Sequence, residues 1–278
     1  MSTDSPSPPA AAQLAAIASA FTTARAEGRA LAEFPGEIPA NLVSAYQVQD
    51  LAIARWADER VGWKVGYIAA ERRDESGDER LLGPIFRRAL WNATGGKVDI
   101  PVFAGGFGAV EAEYVLQLEA DAPAHQLDWT PAQAEALPSR LFIGLEVASS
   151  PLATVNQLGP RVVVSDFGNN NGLIVGAEIS DWRQRQEDSL RCTTWIDERQ
   201  VGQGGASTLP GGLRAAIAFA LSRSAKRGRP LKAGDLIATG NATGIHDILP
   251  GQVARIEFEG IGEIACQAIA ARAQQATP

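Results

Sequence analysis

Sulfur and imidazole are scarce in this chain: its 278 residues include two cysteines, two histidines and one methionine. Cys192 and Cys266 give neither a disulfide framework nor the paired spacing of a zinc site. A reducing, cytoplasmic compartment is the expected setting. An excess of basic charge is missing too. With a formal net charge of −7, no nucleic-acid groove is expected, since such a groove needs a basic face. The one basic cluster, Arg223–Arg229, falls where a helix should end, and cations there suit the helix dipole. No apolar run has the length of a membrane span. Met1–Pro9 is rich in Ser and Pro and has no basic segment leading into an apolar one, so disorder rather than a signal peptide is expected. No internal repeat is visible.

What the chain does contain is ordinary core material. Hydrophobic residues make up 45% and charged ones 21%, enough to bury a full core in one large domain or in a main domain with a helical appendage. Ala10–Phe34 reads as helix, with Leu14, Ile17 and Phe21 at helical spacing and a weak point at Gly28. Leu42–Glu59 reads as a second helix whose buried stripe is Leu42, Ala45, Tyr46, Ile53 and Trp56. Together they predict an N-terminal tail and helical layer over residues 1–60, without chemistry of its own. From Val61 the period changes to two, and strands dominate residues 61–278. In Val61–Ile68, Lys64 shares a strand face with Gly62 and Gly66, which leaves space around its stem. The plain alternative is a surface lysine guarding an edge strand. Gly83-Pro84-Ile85-Phe86 and Pro101–Gly108 read as turn-rich connectors, and Thr130–Leu137 as a short helix with Thr130 as N-cap and Pro131 in the first position. Val162-Val163-Val164 and Leu173–Ile179 read as strands around the polar loop Ser165–Gly172. Its Asp, Asn and Gly are also what any turn uses. Two hairpins, near Asp197 and around Gly260-Ile261-Gly262, and a helix over Pro210–Gly228 complete an α+β class with a large mixed sheet.

Candidate chemistry begins at Val110–Leu118, where Val110, Ala112, Tyr114, Leu116 and Leu118 alternate as in a half-buried strand. Glu111 and Glu113 therefore share the other face. In Leu141–Val147, Glu146 interrupts a second alternating run. Burying a carboxylate without a partner is costly. Either these are solvated faces, or three carboxylates on two strands form a hard-oxygen site suited to Mg²⁺ or Mn²⁺.

Five segments then occur in a familiar order: Gly62-Trp63-Lys64-Val65-Gly66, Val110-Glu111-Ala112-Glu113, Leu145-Glu146-Val147, Asp166, and Gly234-Asp235-Leu236-Ile237-Ala238-Thr239-Gly240. From about Leu42 to Ile269 the chain resembles the 2-keto-4-pentenoate hydratases and their sister 2-oxo-3-hexenedioate (4-oxalocrotonate) decarboxylases, within the fumarylacetoacetate hydrolase superfamily. The resemblance implies a mixed β-sheet roll or sandwich core of the fumarylacetoacetate hydrolase C-terminal type, a homo-oligomer, and a lyase acting on a small 2-oxo acid. It further implies that Glu111, Glu113 and Glu146 hold one Mg²⁺ or Mn²⁺, which stabilises an enolate of the bound 2-oxo acid. Lys64 would pair with the substrate carboxylate or donate to the developing enolate, and a depressed pKa would let it shuttle protons. Asp166 would act as a secondary acid/base or positioning group, and Asn169, Thr239 and Gly240 would bind substrate.

Two positions depart from the hydratase pattern. Leu81 stands where those enzymes carry the aspartate of Pro-Asp-(Tyr/Phe)-Gly, and Phe167 where an asparagine usually follows the loop aspartate. Both imply a more apolar or differently shaped distal pocket and count against hydration of 2-hydroxypentadienoate. The hydrolytic branch that cleaves acylpyruvates uses a His–Glu pair. Here His125 lies in an acidic loop expected to be solvated, and His246 is close in sequence to the expected pocket. An acylpyruvate-type hydrolase and a catalytically reduced 2-oxo-acid-binding paralogue are the competing expectations.

Overall fold

Helix comes first and strand after it. The computed structural model describes residues 8–93 and 95–273. Its helices are α1 (Pro8–Glu27), α2 (Leu42–Arg55), α3 (Pro131–Ala136), α4 (Val155–Leu158), α5 (Pro160–Ser165) and α6 (Gly212–Lys226). The strands are β1 (Arg60–Tyr67), β2 (Arg80–Phe86), β3 (Leu90–Asn92), β4 (Val98–Val102), β5 (Phe107–Leu118), β6 (Ser139–Ser150) and β7 (Asn170–Glu178). They continue with β8 (Arg191–Ile196), β9 (Arg199–Gly205), β10 (Leu236–Ala238), β11 (Ile245–Asp247), β12 (Val253–Phe258) and β13 (Gly262–Ala270). The disorder expected for Met1–Pro9 falls on residues outside those described, except that Pro8 and Pro9 already belong to α1.

One mixed sheet runs β2-β1-β10-β5-β6-β7-β3, with β11 also on β5, and a second runs β4-β13-β12-β8-β9. The edge of the Tyr114 ring on β5 meets Phe258 on β12 at 5.7 Å, joining the sheets across a common interior. The buried core is continuous from Leu14 and Ile17 in α1 to Ala268 in β13. Among the described residues, no helix is long and apolar enough to cross a membrane. Cys192 and Cys266 are separate, buried thiols.

Several elements differ from their sequence reading, each for a local reason. Helix α1 stops at Glu27, not Phe34, because Gly28 takes a left-handed φ of +63° and ends it. Helix α2 begins at the expected Leu42, capped by Asn41 accepting from the Ser44 N–H, but stops at Arg55. The stretch containing Gly83 and Pro84 is not a connector but the fully buried strand β2. It is the outermost strand of its sheet, the one place a sheet tolerates proline. Because β1 lies between β2 and β10, Lys64 is on an interior strand, and the edge-lysine alternative is set aside. The Val162–Val164 run is helical in α5 despite its β-branched side chains. Pro160 starts the helix, and Gln49 of α2 donates to the Val164 carbonyl at 3.1 Å. The capping box of Thr130 and Gln133 opens α3 where the sequence placed it.

Candidate metal centre

The centre is built by the register of two twelve-residue strands. Strands β5 and β6 pair antiparallel so that Glu111 lies directly opposite Glu146, and Glu113 opposite Gly144. Like charges directly across a ladder repel. Here they are also sealed from water: relative exposures are 3% for Glu111, 0% for Glu113 and 0% for Glu146. One carboxylate oxygen from each lies within 4.8 Å of the others. The protein holds part of the set in place. Glu113 Oε2 accepts the Gly240 N–H at 2.6 Å, and Glu146 Oε1 accepts from Asn170 Nδ2 at 3.0 Å. Glu111 Oε1, Glu113 Oε1 and Glu146 Oε2 have no hydrogen-bond partner at all.

Burial, reinforced by the Glu146 charge, pushes Glu111 up to about 7 even with Lys64 pulling the other way. Burial and the two neighbouring carboxylates push Glu113 well above the usual range. Three buried carboxylates close together, each with an orphaned oxygen, are what a hard dication would satisfy, and the donor set fits Mg²⁺ or Mn²⁺.

Lys64 completes the charge pattern. Its Nζ donates to Asn169 Oδ1 at 2.9 Å and lies 3.4 Å from Glu146 Oε1. Burial alone would depress this ammonium, but the charges of Glu146, Glu111 and Glu113 outweigh it and hold the pKa above the ordinary lysine value. The depressed pKa anticipated for Lys64 is therefore corrected: beside three glutamates it is a firmly held cation. Asn169 in turn donates to Asn156 Oδ1 at 3.1 Å, which fixes the amide orientation facing Lys64.

Glu111, alone of the three glutamates, lines a cavity of about 190 Å³ whose wall also includes Lys64, Asn169, Asn241, Arg72 and Leu81. A larger, more open hollow of about 380 Å³ adjoins it through Arg72, Gly159 and Pro160 but reaches none of the three glutamates. We place the chemistry in the smaller cavity for that reason. Tyr67 and Ile245, 45% exposed each, also line it.

The remaining candidates lie around this centre in different ways. Thr239 Oγ1 donates to the Tyr114 carbonyl at 2.8 Å. With Gly240 it lines a recess of about 30 Å³ beside the cavity, which Tyr67 and Asn241 also border. Asp166 is 1% exposed and held by Arg25 through a two-pronged ion pair, with Nε 2.6 Å from Oδ1 and an Nη2 contact of 3.0 Å to Oδ2. His246 sits across from Val110 with its Nε2 3.1 Å from Thr243 Oγ1, and its neighbour Ile245, not the imidazole, reaches the cavity. His125 is exposed. Three contributors have no counterpart in the sequence reading, Arg25, Asn170 and Asn241, and of the charged stretch Arg72–Arg80 it is Arg72 that lines the cavity. The run of three asparagines at 169–171 was a signal for the second of these, and Asn241 directly follows the Thr-Gly motif. Nothing in the spacing of α1 pointed to Arg25.

The class so defined is a mixed-sheet α+β fold carrying a buried triad of carboxylates beside a lysine, a donor set that could hold a metal ion. Residues 93–268 match the Fumarylacetoacetate (FAA) hydrolase C-terminal family, and the chain belongs to that family. No curated protein sequence matches it. Among solved structures, 4-oxalocrotonate decarboxylase from Pseudomonas putida G7 complexed with magnesium and adipate is similar with a TM-score of 0.78 at 19% identity, over 93% of this chain and 98% of that one. The same enzyme with calcium and acetate gives 0.77 at 20% identity over the same shares. Fumarylpyruvate hydrolase from Pseudomonas aeruginosa, in complex with Mn²⁺ and pyruvate, gives 0.51 at 13% identity over 76% of this chain and 90% of that one. At these identities the likeness is one of fold.

Proposed function

We propose that this protein is a divalent-metal-dependent lyase that acts on a small 2-oxo acid, a hydratase or decarboxylase of the 2-keto-4-pentenoate hydratase type, working in the cytoplasm as a homo-oligomer. The observation that carries the reading is the buried cluster of three carboxylates, each with an orphaned oxygen, beside Lys64, at the wall of a cavity that Glu111 and Lys64 line. Two structural neighbours support it, one holding magnesium with the dicarboxylate adipate and the other Mn²⁺ with the 2-oxo acid pyruvate.

Glu111, Glu113 and Glu146 would hold the ion. When bound, it supplies Lewis-acid polarisation of a chelated carboxyl–carbonyl pair. Lys64 contributes a fixed positive charge beside that pair, steers the C1 carboxylate inward, and donates a hydrogen bond where negative charge grows on the carbonyl oxygen. Asn169 keeps the ammonium aimed. Leu81 gives the distal wall an apolar surface and supplies no acid–base group, which favours decarboxylation over hydration. Arg72, on the same wall, suits a substrate with a second anionic end. Asp166, enclosed by Arg25, takes a positioning role.

Among the described residues no histidine lines the cavity, which weighs against the acylpyruvate hydrolase alternative. The test is turnover with Mg²⁺ on 2-oxo-3-hexenedioate, oxaloacetate, 2-hydroxypentadienoate and an acylpyruvate, followed by CO₂ release and loss of substrate absorbance. Decarboxylation of a dicarboxylic 2-oxo acid is expected. Tight binding of the whole panel without any turnover would instead identify the binding-only paralogue.

A further inference from the structure

Helix α1 lies far from β5 and β6 in sequence, yet its last turn reaches the centre through one side chain. Arg25 is 5% exposed, and its guanidinium donates in six contacts. Two go to the Asp166 carboxylate at 2.6 and 3.0 Å, and one to the Asp166 carbonyl at 3.2 Å. The others go to the Ser149 carbonyl at 3.0 Å, the Asn170 carbonyl at 3.1 Å and Asn171 Oδ1 at 3.0 Å. The guanidinium also lies 5.2 Å from the centre of the Phe167 ring. Every acceptor but Ser149 belongs to one turn, and the fork grips that turn at both ends.

The turn is one that the chain would not adopt unaided. Phe167, Gly168 and Asn169 have consecutive left-handed φ values of +53°, +64° and +57°. Two of the three carry side chains, which rarely take that conformation. There is little room for the backbone to shift: a Cβ on Gly168 would come within 2.7 Å of Gly83 Cα and 3.2 Å of Lys64 Cε. The next two side chains emerging from the turn are the ones that orient the centre. Asn169 accepts from Lys64 Nζ, and Asn170 donates to Glu146.

We infer that Arg25 is a positioning residue: its fork on Asp166–Asn171 holds the left-handed turn that aims Asn169 at Lys64 and Asn170 at Glu146, so that the N-terminal helix tunes the metal centre. The inference rests on the metal reading above. A lysine at position 25 would keep the charge but could not reach both ends of the turn, because it lacks the planar fork.

The experiment is calorimetric titration of Mn²⁺ into metal-free protein without substrate, on wild type, Arg25→Lys, Asn170→Ala and the double variant, each first shown to be folded by circular dichroism and gel filtration. Arg25→Lys is expected to weaken Mn²⁺ binding by about 10- to 100-fold, the usual cost of losing a group that orients a ligand. The double variant is expected to be no weaker than Asn170→Ala by more than about 3-fold, since both act along one path. A merely structural role would lower the fraction of competent protein and leave the dissociation constant of that fraction unchanged. Folded Arg25→Lys with wild-type Mn²⁺ affinity overturns the inference, as do losses that multiply in the double variant. Should Arg25→Lys not fold, Asp166→Asn, which keeps the size of the acceptor, is measured in its place with the same two outcomes. Wild-type protein that takes up no Mn²⁺ would sink the metal reading itself, a different result from any of these.

Discussion

At the scale of the residue, charge balance decides behaviour. In the metal-free protein the charges of three neighbouring carboxylates raise the Lys64 pKa, and we expect Lys64 to act on the substrate as a positive charge. Lys64→Met should therefore leave Mn²⁺ binding intact and lower kcat by at least ~10²-fold, the scale of a lost acid–base or charge-stabilising group. Steady-state kinetics beside a metal titration checks both halves, and wild-type turnover would remove the lysine from the mechanism. Glu113→Gln tests the triad. It keeps the shape, removes one member of a repelling set, and leaves two carboxylates for the ion. We expect Mn²⁺ binding to be lost while the metal-free protein melts at a higher temperature than wild type, because burial and the neighbouring charges disfavour ionised Glu113. Calorimetry and a melt in chelator read these separately. Retained wild-type Mn²⁺ affinity would show that the ligands are misassigned.

At the scale of the element, close backbone contact matters more than propensity. Strand β2 and the turn after α5 touch at Gly83, where an added Cβ would come within 2.2 Å of the Phe167 carbonyl oxygen and 2.9 Å of Gly168 Cα. Gly83→Ala must push the turn away. It should cost about 1–3 kcal/mol, as overpacking does, and weaken Mn²⁺ binding with it. Gly96→Ala, where a Cβ meets nothing within 4 Å, is the control and should stay within about 0.5 kcal/mol of wild type. Denaturant melts give the first number, and equal stability of the two variants would mean that β2 and the turn are not rigidly coupled. The same rigidity makes the β5–β6 register decisive, since a slip of one residue would turn Glu146 away from Glu111.

At the scale of the whole molecule, the centre ties stability to pH and metal. Burial pushes Glu111 up to about 7 in the folded metal-free protein against an ordinary value of 4.5, and Glu113 is likewise raised well above that value. A raised folded-state pKa means that the folded chain binds more protons than the unfolded one over that interval. The associated stability is fully present below about 4.5 and is lost as pH rises through about 7. A dication takes the place of those protons. The difference in melting temperature between Mg²⁺-saturated and chelator-treated protein should therefore widen steadily from pH 5.5 to 8, with protons released on binding. Thermal melts across that range check it, and a difference that does not vary with pH would mean that the glutamates are already ionised without metal.

The sequence by itself determined the alternation that makes β5 and β6 strands, the helical N-terminal layer, and the placing of Glu111 and Glu113 on one strand face. Those features are periodic or compositional, and a local pattern is sufficient to express them. Tertiary structure decided what no local pattern encodes. Pairing register placed Glu111 opposite Glu146, burial orphaned three of the carboxylate oxygens, and the summed charge of the triad reversed the shift anticipated for Lys64. The tightest example is the Asp166–Asn171 turn. Its Asp, Asn and Gly residues would suit any surface loop, and it takes the guanidinium arriving from α1, more than a hundred residues earlier, together with the close approach of β2 at Gly83, to hold the left-handed path that brings Asn169 and Asn170 to the centre.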